Sequence, residues 1–252
     1  MIAKSKYIGI TAVALVIAAF FTATQPLRPE MATVSSVFVI LFAVPSYWAV
    51  VQARGWKRGG TILLLLGMYA LIIESSAIHT GFPYGDFIYN DLLGDKVFGL
   101  TPWTVAFAYP PILLLSYWAA RISVTHRIKH LKNMSTLLVV AGMTALFAMG
   151  VDLVLDPAAV ELGFWNWETP GLFYEVPLIN FAGWLLTGFV GGVIVHSSWG
   201  KMMPPKAFAY SGVTILWFWT WINVFQVHII PALLGFALLL IFFRRIHSKI
   251  VY

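Results

Sequence analysis

Eight long apolar stretches constrain what this chain can fold into. They lie near residues 7–23, 31–51, 60–79, 102–120, 135–152, 178–198, 207–225 and 228–243, and none contains Lys or Arg. A helix needs about 20 apolar residues to cross a bilayer. Only 10% of the residues are charged, against about 25% in soluble domains. The sequence therefore predicts an all-α, polytopic membrane bundle of about eight transmembrane helices and excludes a soluble globular fold.

The cations indicate how the chain is oriented. If it crosses eight times, all but Arg28 and Lys96 of its 16 Lys and Arg residues fall on one side. These residues are Lys4, Lys6, Arg54, Lys57, Arg58, Arg121, Arg127, Lys129, Lys132, Lys201, Lys206, Arg244, Arg245 and Lys249. Positive residues in short loops mark the cytoplasmic side. The sequence thus predicts a single integral domain, residues 1–252, as a multi-pass protein of the cell membrane with both termini cytoplasmic. The net charge of +6 is explained by these cytoplasmic cations, which orient the protein in the membrane. We therefore expect no nucleic-acid partner.

The first apolar stretch has a second interpretation. Lys4 and Lys6 precede an apolar run that ends in the small residues Ala23 and Thr24, as in a signal peptide. The run is long for such a peptide, which favours a membrane anchor. Cleavage would leave the other seven orientations unchanged.

The carboxylates lie on the opposite side from the cations. Of the ten acids, seven fall in outer loops and three in the outer parts of spans. The loop acids are Glu30, Asp86, Asp91, Asp95, Glu161, Glu168 and Glu175; the span acids are Glu74, Asp152 and Asp156. Intramembrane carboxylates are costly, which makes them functional candidates. The chain has no cysteine, so thiolate metal sites and cysteine nucleophiles are excluded.

Asp152 and Asp156 are the leading candidates for acid chemistry. They are four residues apart and share one helical face. Pro157 follows them, so we expect the helix to end near Asp156. The negative end of the helix dipole and apolar burial both favour the protonated carboxyl, which a general acid requires. The alternative is that each aspartate only pairs with the loop backbone or with a cation. Glu74 has the same two interpretations.

Two long outer loops, residues 74–103 and 152–184, are rich in glycine, proline, acids and aromatics. This composition is typical of ordered loops rather than mobile linkers. Their aromatics are Tyr84, Phe87, Tyr89, Trp103, Phe164, Trp165, Trp167, Phe173, Tyr174, Phe181 and Trp184. Ring faces stabilise cations, although rings at this depth also form interfacial belts. We expect a few to line a pocket, and Trp217, Trp219 and Trp221 to serve helix packing.

The two loops share a weak internal repeat. Glu74 precedes Gly81-Phe82 by seven residues, and Asp156 precedes Gly163-Phe164 by seven. Both units cross in the same direction, so a pseudo-symmetry axis would run along the membrane normal. Chance similarity is the alternative.

Longer motifs in these loops resemble a known family. The segments 80–89 (TGFPYGDFIY) and 98–103 (FGLTPW) resemble one signature of the membrane-integral carotenoid biosynthesis family. The segments 152–157 (DLVLDP), 163–167 (GFWNW) and 174–184 (YEVPLINFAGW) resemble a second. That family includes bisanhydrobacterioruberin hydratases and CruF-type carotenoid 1,2-hydratases. The resemblance covers about residues 60–200; Glu175 stands where a glycine is expected.

The resemblance implies a hydro-lyase that needs neither cofactor nor metal. It would add water across the terminal C1=C2 double bond of a linear, lipid-dissolved carotenoid, giving a tertiary alcohol. Asp152 or Asp156 would donate the proton, with Glu74 in reserve. Glu74 or Asp86 would activate the water, helped by Asn180. The expected substrate-binding aromatics are Tyr84, Trp103, Trp165, Trp167, Tyr174 and Trp184.

Three other functions stay open at the level of sequence. A carotenoid cyclase would begin with the same protonation. An intramembrane magnesium-dependent prenyltransferase would use paired Asp-rich motifs, to which residues 90–95 and 152–156 bear a weak likeness. A carotenoid transporter or scaffold, in contact with other enzymes of the pathway, would use intramembrane acids without catalysis.

Overall fold

A computed structural model describes the backbone of residues 2–124 and 133–247, with side chains from residue 8. The predicted cations Lys4, Lys6, Arg127, Lys129, Lys132 and Lys249 lie outside the described side chains. The α-helices are α1 (Ile2–Thr24), α2 (Ala32–Thr80), α3 (Val105–Val124), α4 (Asn133–Glu161), α5 (Leu178–Trp199), α6 (Phe208–Phe225) and α7 (Ile229–His247). A 3-10 helix covers Pro29–Met31, and the short strands are β1 (Phe87–Tyr89), β2 (Lys96–Val97), β3 (Thr101–Pro102) and β4 (Trp165–Trp167).

Helix α2 is a hairpin of two helical halves. Gly55 has φ 74° and ψ 165°, a conformation that glycine adopts readily. The chain folds back there, since a Cβ on Gly59 would lie 3.0 Å from the Cα of Val51. The two halves correspond to the predicted stretches 31–51 and 60–79.

The structure confirms an all-α bundle of a membrane protein. Within residues 2–124 and 133–247, five helices, counting α2 once, are long and apolar enough to cross a bilayer. Large apolar side chains such as Leu64 (63%) and Ile72 (63%) are exposed on its surface, as expected of residues that face lipid. Only Gln226, Val227 and His228 separate α6 from α7, close to the two-residue gap between the predicted stretches 207–225 and 228–243. Eight crossings and cytoplasmic termini stay predictions.

Helix α3 lies in the centre of the bundle. Its residues Leu113, Leu114, Leu115, Tyr117 and Trp118 are completely buried. A helix that is apolar on every side can be buried in this way. Helices α2, α4, α5, α6 and α7 pack around it.

Small residues bring α4 and α5 together. A Cβ on Gly188 would lie 2.9 Å from the Cα of Ala145, and one on Gly192 would lie 3.0 Å from the Cα of Ala141. Glycines four residues apart are a common interface in membrane helices because they allow the backbones to approach closely. This contact places the start of α5 beside the end of α4.

The described carboxylates lie at one end of the bundle, and the described cations other than Arg28 and Lys96 lie at the other. The acidic end, as we call it, carries the loops 81–104 and 162–177. There, β1 pairs with β4 in antiparallel register, with Phe87 opposite Trp167. Gly81 (φ 73°) and Gly163 (φ 74°), the two glycines of the predicted repeat, have matching left-handed conformations. The basic end is the opposite one, where Arg54, Arg121 and Arg245 contact neighbouring helices.

The predicted helix end near Asp156 is wrong. Helix α4 continues through Pro157 to Glu161. Proline removes one backbone donor and crowds the preceding turn, but it lies in the last turns of a long helix. Ala158 and Ala159 beyond it are fully buried, and their packing keeps the final turn helical. Asp156 is therefore inside the helix rather than at its cap.

Candidate active site

Three of the predicted polar residues meet between α4 and α5. The Asn180 amide nitrogen donates to Asp152 Oδ2 at 2.9 Å and to Asp156 Oδ2 at 2.5 Å. The exposed fractions of Asp152, Asp156 and Asn180 are 1%, 4% and 2%. One amide thus holds two carboxyl groups on adjacent turns of one helical face, as the spacing of four residues predicts.

Glu74 joins this group through a tyrosine. The hydroxyl of Tyr89 donates to Glu74 Oε2 at 3.0 Å, and both residues are buried. Burial raises the pKa of Tyr89 well above its usual value, and the charge of Glu74, followed by those of Asp156 and Asp152, adds to the rise. The hydroxyl therefore keeps its proton and remains a donor. All three carboxyl groups are thus close enough to Tyr89 to raise the pKa of its hydroxyl.

One atom of this group has no hydrogen-bond partner. Asp152 Oδ1 is buried and makes no hydrogen bond to the described part of the chain. Within the same residues, the only ion pair is between Lys96 and the exposed Asp91, at 2.8 Å. A buried polar atom without a partner is costly and requires an explanation. One explanation is that the Asp152 carboxyl donates its proton to an apolar molecule, which offers no hydrogen-bond acceptor.

Aromatic rings cluster around Tyr89, which bonds Glu74. The ring centroid of Tyr89 lies 5.6 Å from that of Trp165, and Phe87 lies 5.0 Å from Trp167. Trp184 stacks on Tyr109 at 4.8 Å. These rings provide faces that can stabilise a positive charge.

Tyr84 belongs to the same set of aromatic residues. Its hydroxyl bonds the Thr187 hydroxyl at 3.0 Å, and its ring lies 6.1 Å from that of Trp184. Burial raises the pKa of Tyr84 well above the usual value, so this hydroxyl also stays protonated.

The structure separates three predicted residues from this group. Asp86 is exposed, and its carboxylate lies against Gly81 of its own loop. Trp103 packs on Phe107 with a centroid distance of 5.7 Å. Tyr174 lies 4.7 Å from the ring of His228. Loop folding places them elsewhere at the acidic end.

Sequence reasoning did not place Tyr89 among the site residues, although a signal was present. Residues in a strand alternate between its two faces. In β1, Phe87 and Tyr89 are buried and Ile88 is exposed. The same alternation turns Asp86 outward with Ile88. Asp86-Phe-Ile-Tyr89 therefore predicts a buried tyrosine and an exposed aspartate once β1 is recognised as a strand.

Glu175 fits the backbone that the family motif implies. Its φ is 65°, in the left-handed region that glycine occupies readily and other residues rarely do. The glycine expected at this position would adopt this conformation without strain.

The fold and the site define a membrane-embedded helical protein with a buried carboxyl cluster beside a cluster of aromatic rings. The family described as carotenoid biosynthesis protein matches residues 31–242. The chain therefore belongs to this family, as the motifs predict, and the match extends beyond residues 60–200.

A curated relative and the solved structures give two further results. The chain is 34% identical over 195 residues to bisanhydrobacterioruberin hydratase of Haloarcula japonica, covering 73% of this chain and 64% of the relative. It thus spans somewhat less than two thirds of that protein's length. No solved structure matches the chain.

Proposed function

We propose that this protein hydrates the terminal C1=C2 double bond of a linear carotenoid by acid catalysis without a cofactor. The observation that carries the proposal is the buried Asp152 Oδ1, which has no partner in the described chain, while Oδ2 is held by Asn180. Such a carboxyl can carry its proton on Oδ1 and present it to an apolar substrate. Membership of a carotenoid biosynthesis family and similarity to a protein named as a hydratase support the choice of reaction.

The first step is proton transfer. The Oδ1–H bond of Asp152 breaks, and the proton bonds to C2 of the alkene. A tertiary cation forms at C1, the more substituted carbon. Asn180 lies in the first turn of α5, whose positive end stabilises the carboxylate left on Asp152. Trp165 and Trp167 stabilise the carbocation with their ring faces.

The second step is capture by water. A water oxygen bonds to C1, and a carboxylate takes the proton released from that oxygen. Glu74 is our candidate for this base, since Tyr89 fixes one of its oxygens at 3.0 Å. Asp156 shares Asn180 with Asp152 and returns a proton to it. The proton held by Glu74 then passes to Asp156, so that all three carboxyl groups regain their starting states. Water and alkene are the only reactants consumed, and the alcohol is the only product.

The position of the site suits the substrate. A carotenoid resides in the hydrocarbon region of the bilayer, and the three carboxyl groups lie within helices long and apolar enough to cross it. The surrounding rings exclude bulk water, so the cation meets one placed water rather than solvent. The substrate can therefore reach the acid without leaving the membrane.

The test uses purified protein in detergent with lycopene as substrate in water enriched in oxygen-18. We expect a product heavier by one labelled water, with the label in a tertiary hydroxyl. A ring-closed product of unchanged mass would instead identify a cyclase. Conversion that requires magnesium and a prenyl diphosphate would identify a prenyltransferase, and no conversion of carotenoid would favour a transporter or scaffold. Each of these outcomes contradicts hydration.

A further inference from the structure

A second feature of the acidic end is an apolar cavity of about 170 Å³. It lies among α1, the first half of α2, α3, α4 and α6, and none of its lining side chains is ionisable. Thr22 and Ser35 supply the only hydroxyl groups among the residues that line it. Most of the remaining wall is aromatic or branched aliphatic.

The cavity adjoins the carboxyl cluster. Leu155 and Trp165 line it, and Leu155 is the residue before Asp156. The other side of Trp165 belongs to the site, because its ring contacts that of Tyr89 at 5.6 Å. Tyr89 in turn bonds Glu74. Two side chains, Trp165 and Tyr89, thus connect the cavity to Glu74.

The cavity faces the membrane on its other side. Met31, Val34 and Phe38 line it and are exposed by 37%, 52% and 37%. Helices α1 and α2 both pack on α6, and the cavity lies where they meet α6. A molecule dissolved in lipid can therefore enter sideways.

We propose that this cavity binds the hydrocarbon chain of the carotenoid beside the end that is hydrated, an inference that rests on the proposed function. An apolar cavity of about 150 Å³ is large enough to hold benzene. This one accommodates a short isoprenoid segment, and the rest of the polyene lies in the bilayer.

The contribution of the cavity is alignment. The polyene is already surrounded by hydrocarbon in the bilayer, so its transfer into another apolar space gains little from the hydrophobic effect. Holding the chain fixes the terminal double bond relative to Asp152, and misplacement of about 1 Å can cost about 10²-fold in rate. We therefore expect the cavity to raise kcat/KM for the carotenoid whose polyene chain it aligns.

A rigid polyene fits this cavity better than a flexible acyl chain. Four of the residues that line it carry flat rings: Phe38, Phe42, Phe218 and Trp219. A conjugated chain loses little conformational freedom when it lies between rings, whereas an acyl chain loses the freedom of many rotatable bonds. Trp219, which the sequence assigns to packing, is part of this wall.

Two variants on different helices fill the cavity, Val39→Trp on α2 and Ala108→Phe on α3. Both residues line it. The matched control is Val37→Trp, because Val37 is 49% exposed and lies outside the lining of the cavity. The readouts are hydration of lycopene and the circular dichroism that a chiral site induces in bound lycopene. Size-exclusion profiles and thermal unfolding establish that each variant is folded.

We expect the unmodified protein and Val37→Trp to hydrate lycopene and to induce dichroism. Both filled variants should lose the induced signal, and their kcat/KM should fall by about 10²-fold. If a folded filled variant retains both properties while the unmodified protein hydrates lycopene, the cavity holds another molecule, such as a lipid acyl chain, and the inference is overturned. If the unmodified protein binds lycopene but adds no water, the proposed function fails, and the dichroism of the variants still tests the cavity.

Discussion

Buried ionisable groups occur at both ends of the bundle, but they are satisfied in different ways. At the basic end, Arg121 is 7% exposed and donates to the carbonyl oxygens of Gly200 at 3.3 Å and Lys201 at 3.1 Å. It also donates to the Tyr117 hydroxyl at 2.8 Å. Arg54 donates to the carbonyl oxygen of Trp199 and lies over its ring.

The acceptors at the basic end explain why its cations are stable. Trp199 is the last residue of α5, and Gly200 and Lys201 follow it. Backbone carbonyls at such a helix end have no partner within the helix. Cations are favoured at such a terminus. Arg121 therefore closes a helix end and ties α3 to α5, which is a structural function.

The acidic end lacks this kind of compensation. Asn180 serves two carboxyl groups, and Asp152 Oδ1 has no partner among the described residues. The comparison teaches that burial of a charge does not by itself indicate chemistry. Among the described residues, Arg54 Nε also lacks a hydrogen-bond partner, but the same guanidinium donates to a carbonyl oxygen and lies over the Trp199 ring. Asp152 differs because its unpartnered oxygen lies beside a second buried carboxyl that shares the same amide donor. Five substitutions test this distinction, from the largest expected effect to the smallest.

Asp152→Asn should reduce hydration by about 10³-fold, because an amide cannot donate the proton that starts the reaction. Its shape is kept, and its oxygen can still accept from Asn180. The rate is measured with lycopene in detergent, and thermal unfolding should show a folded protein. Asp91→Asn, at the exposed ion pair with Lys96, is the matched control. Full turnover by a folded Asp152→Asn variant would refute the acid assignment.

Glu74→Gln should reduce the rate by about 10²-fold, since the amide cannot take a proton from water. The Tyr89 hydroxyl can still donate to the new amide oxygen, so the position of the side chain is maintained. The measurement is kcat under saturating lycopene. An unchanged kcat would remove Glu74 from the reaction and leave Asp156 as the base.

Tyr89→Phe should reduce the rate by about tenfold, the equivalent of one hydrogen bond of about 1.4 kcal/mol. The ring remains to contact Trp165, so only the bond to Glu74 is lost. Comparison of the single variants with the Glu74→Gln, Tyr89→Phe double variant measures their coupling. Additive losses would show that Tyr89 does not act through Glu74.

Arg121→Met should lower the free energy of unfolding by about 3 kcal/mol without reducing the rate per folded molecule. The carbonyl oxygens of Gly200 and Lys201 lose a charged donor, whereas the carboxyl cluster is untouched. Unfolding is followed in mixed micelles, alongside Arg121→Lys, which keeps the charge but not the planar group. A loss of rate without a loss of stability would contradict the structural function assigned to Arg121.

Asp86→Asn should change both rate and stability little, by less than about twofold in rate, as expected for an exposed residue. Its carboxylate contacts its own loop rather than the carboxyl cluster. Lycopene hydration and thermal unfolding are measured together. A large loss of rate would show that Asp86 takes part in the reaction, as the family resemblance implies.

Much of this architecture follows from local sequence properties. The apolar stretches predict the helices because span length is set by the bilayer, and the spacing of Asp152 and Asp156 predicts their common face because helical periodicity is fixed. Pro157 shows where local reasoning ends. Its effect on a helix end depends on the packing of Ala158 and Ala159, which the sequence alone does not give.

The sequence by itself determined the membrane class and the uneven distribution of charges, and it proposed Asp152, Asp156 and Glu74 as candidate acids, since these depend on residue type and spacing. Tertiary structure alone decided that Asn180 joins the two aspartates, that Tyr89 reaches Glu74 and that Asp86 turns away. Those facts depend on the close approach of α4 to α5 and on the pairing of β1 with β4. Contacts between distant segments arise from the fit of surfaces in three dimensions, which no local pattern of residues records.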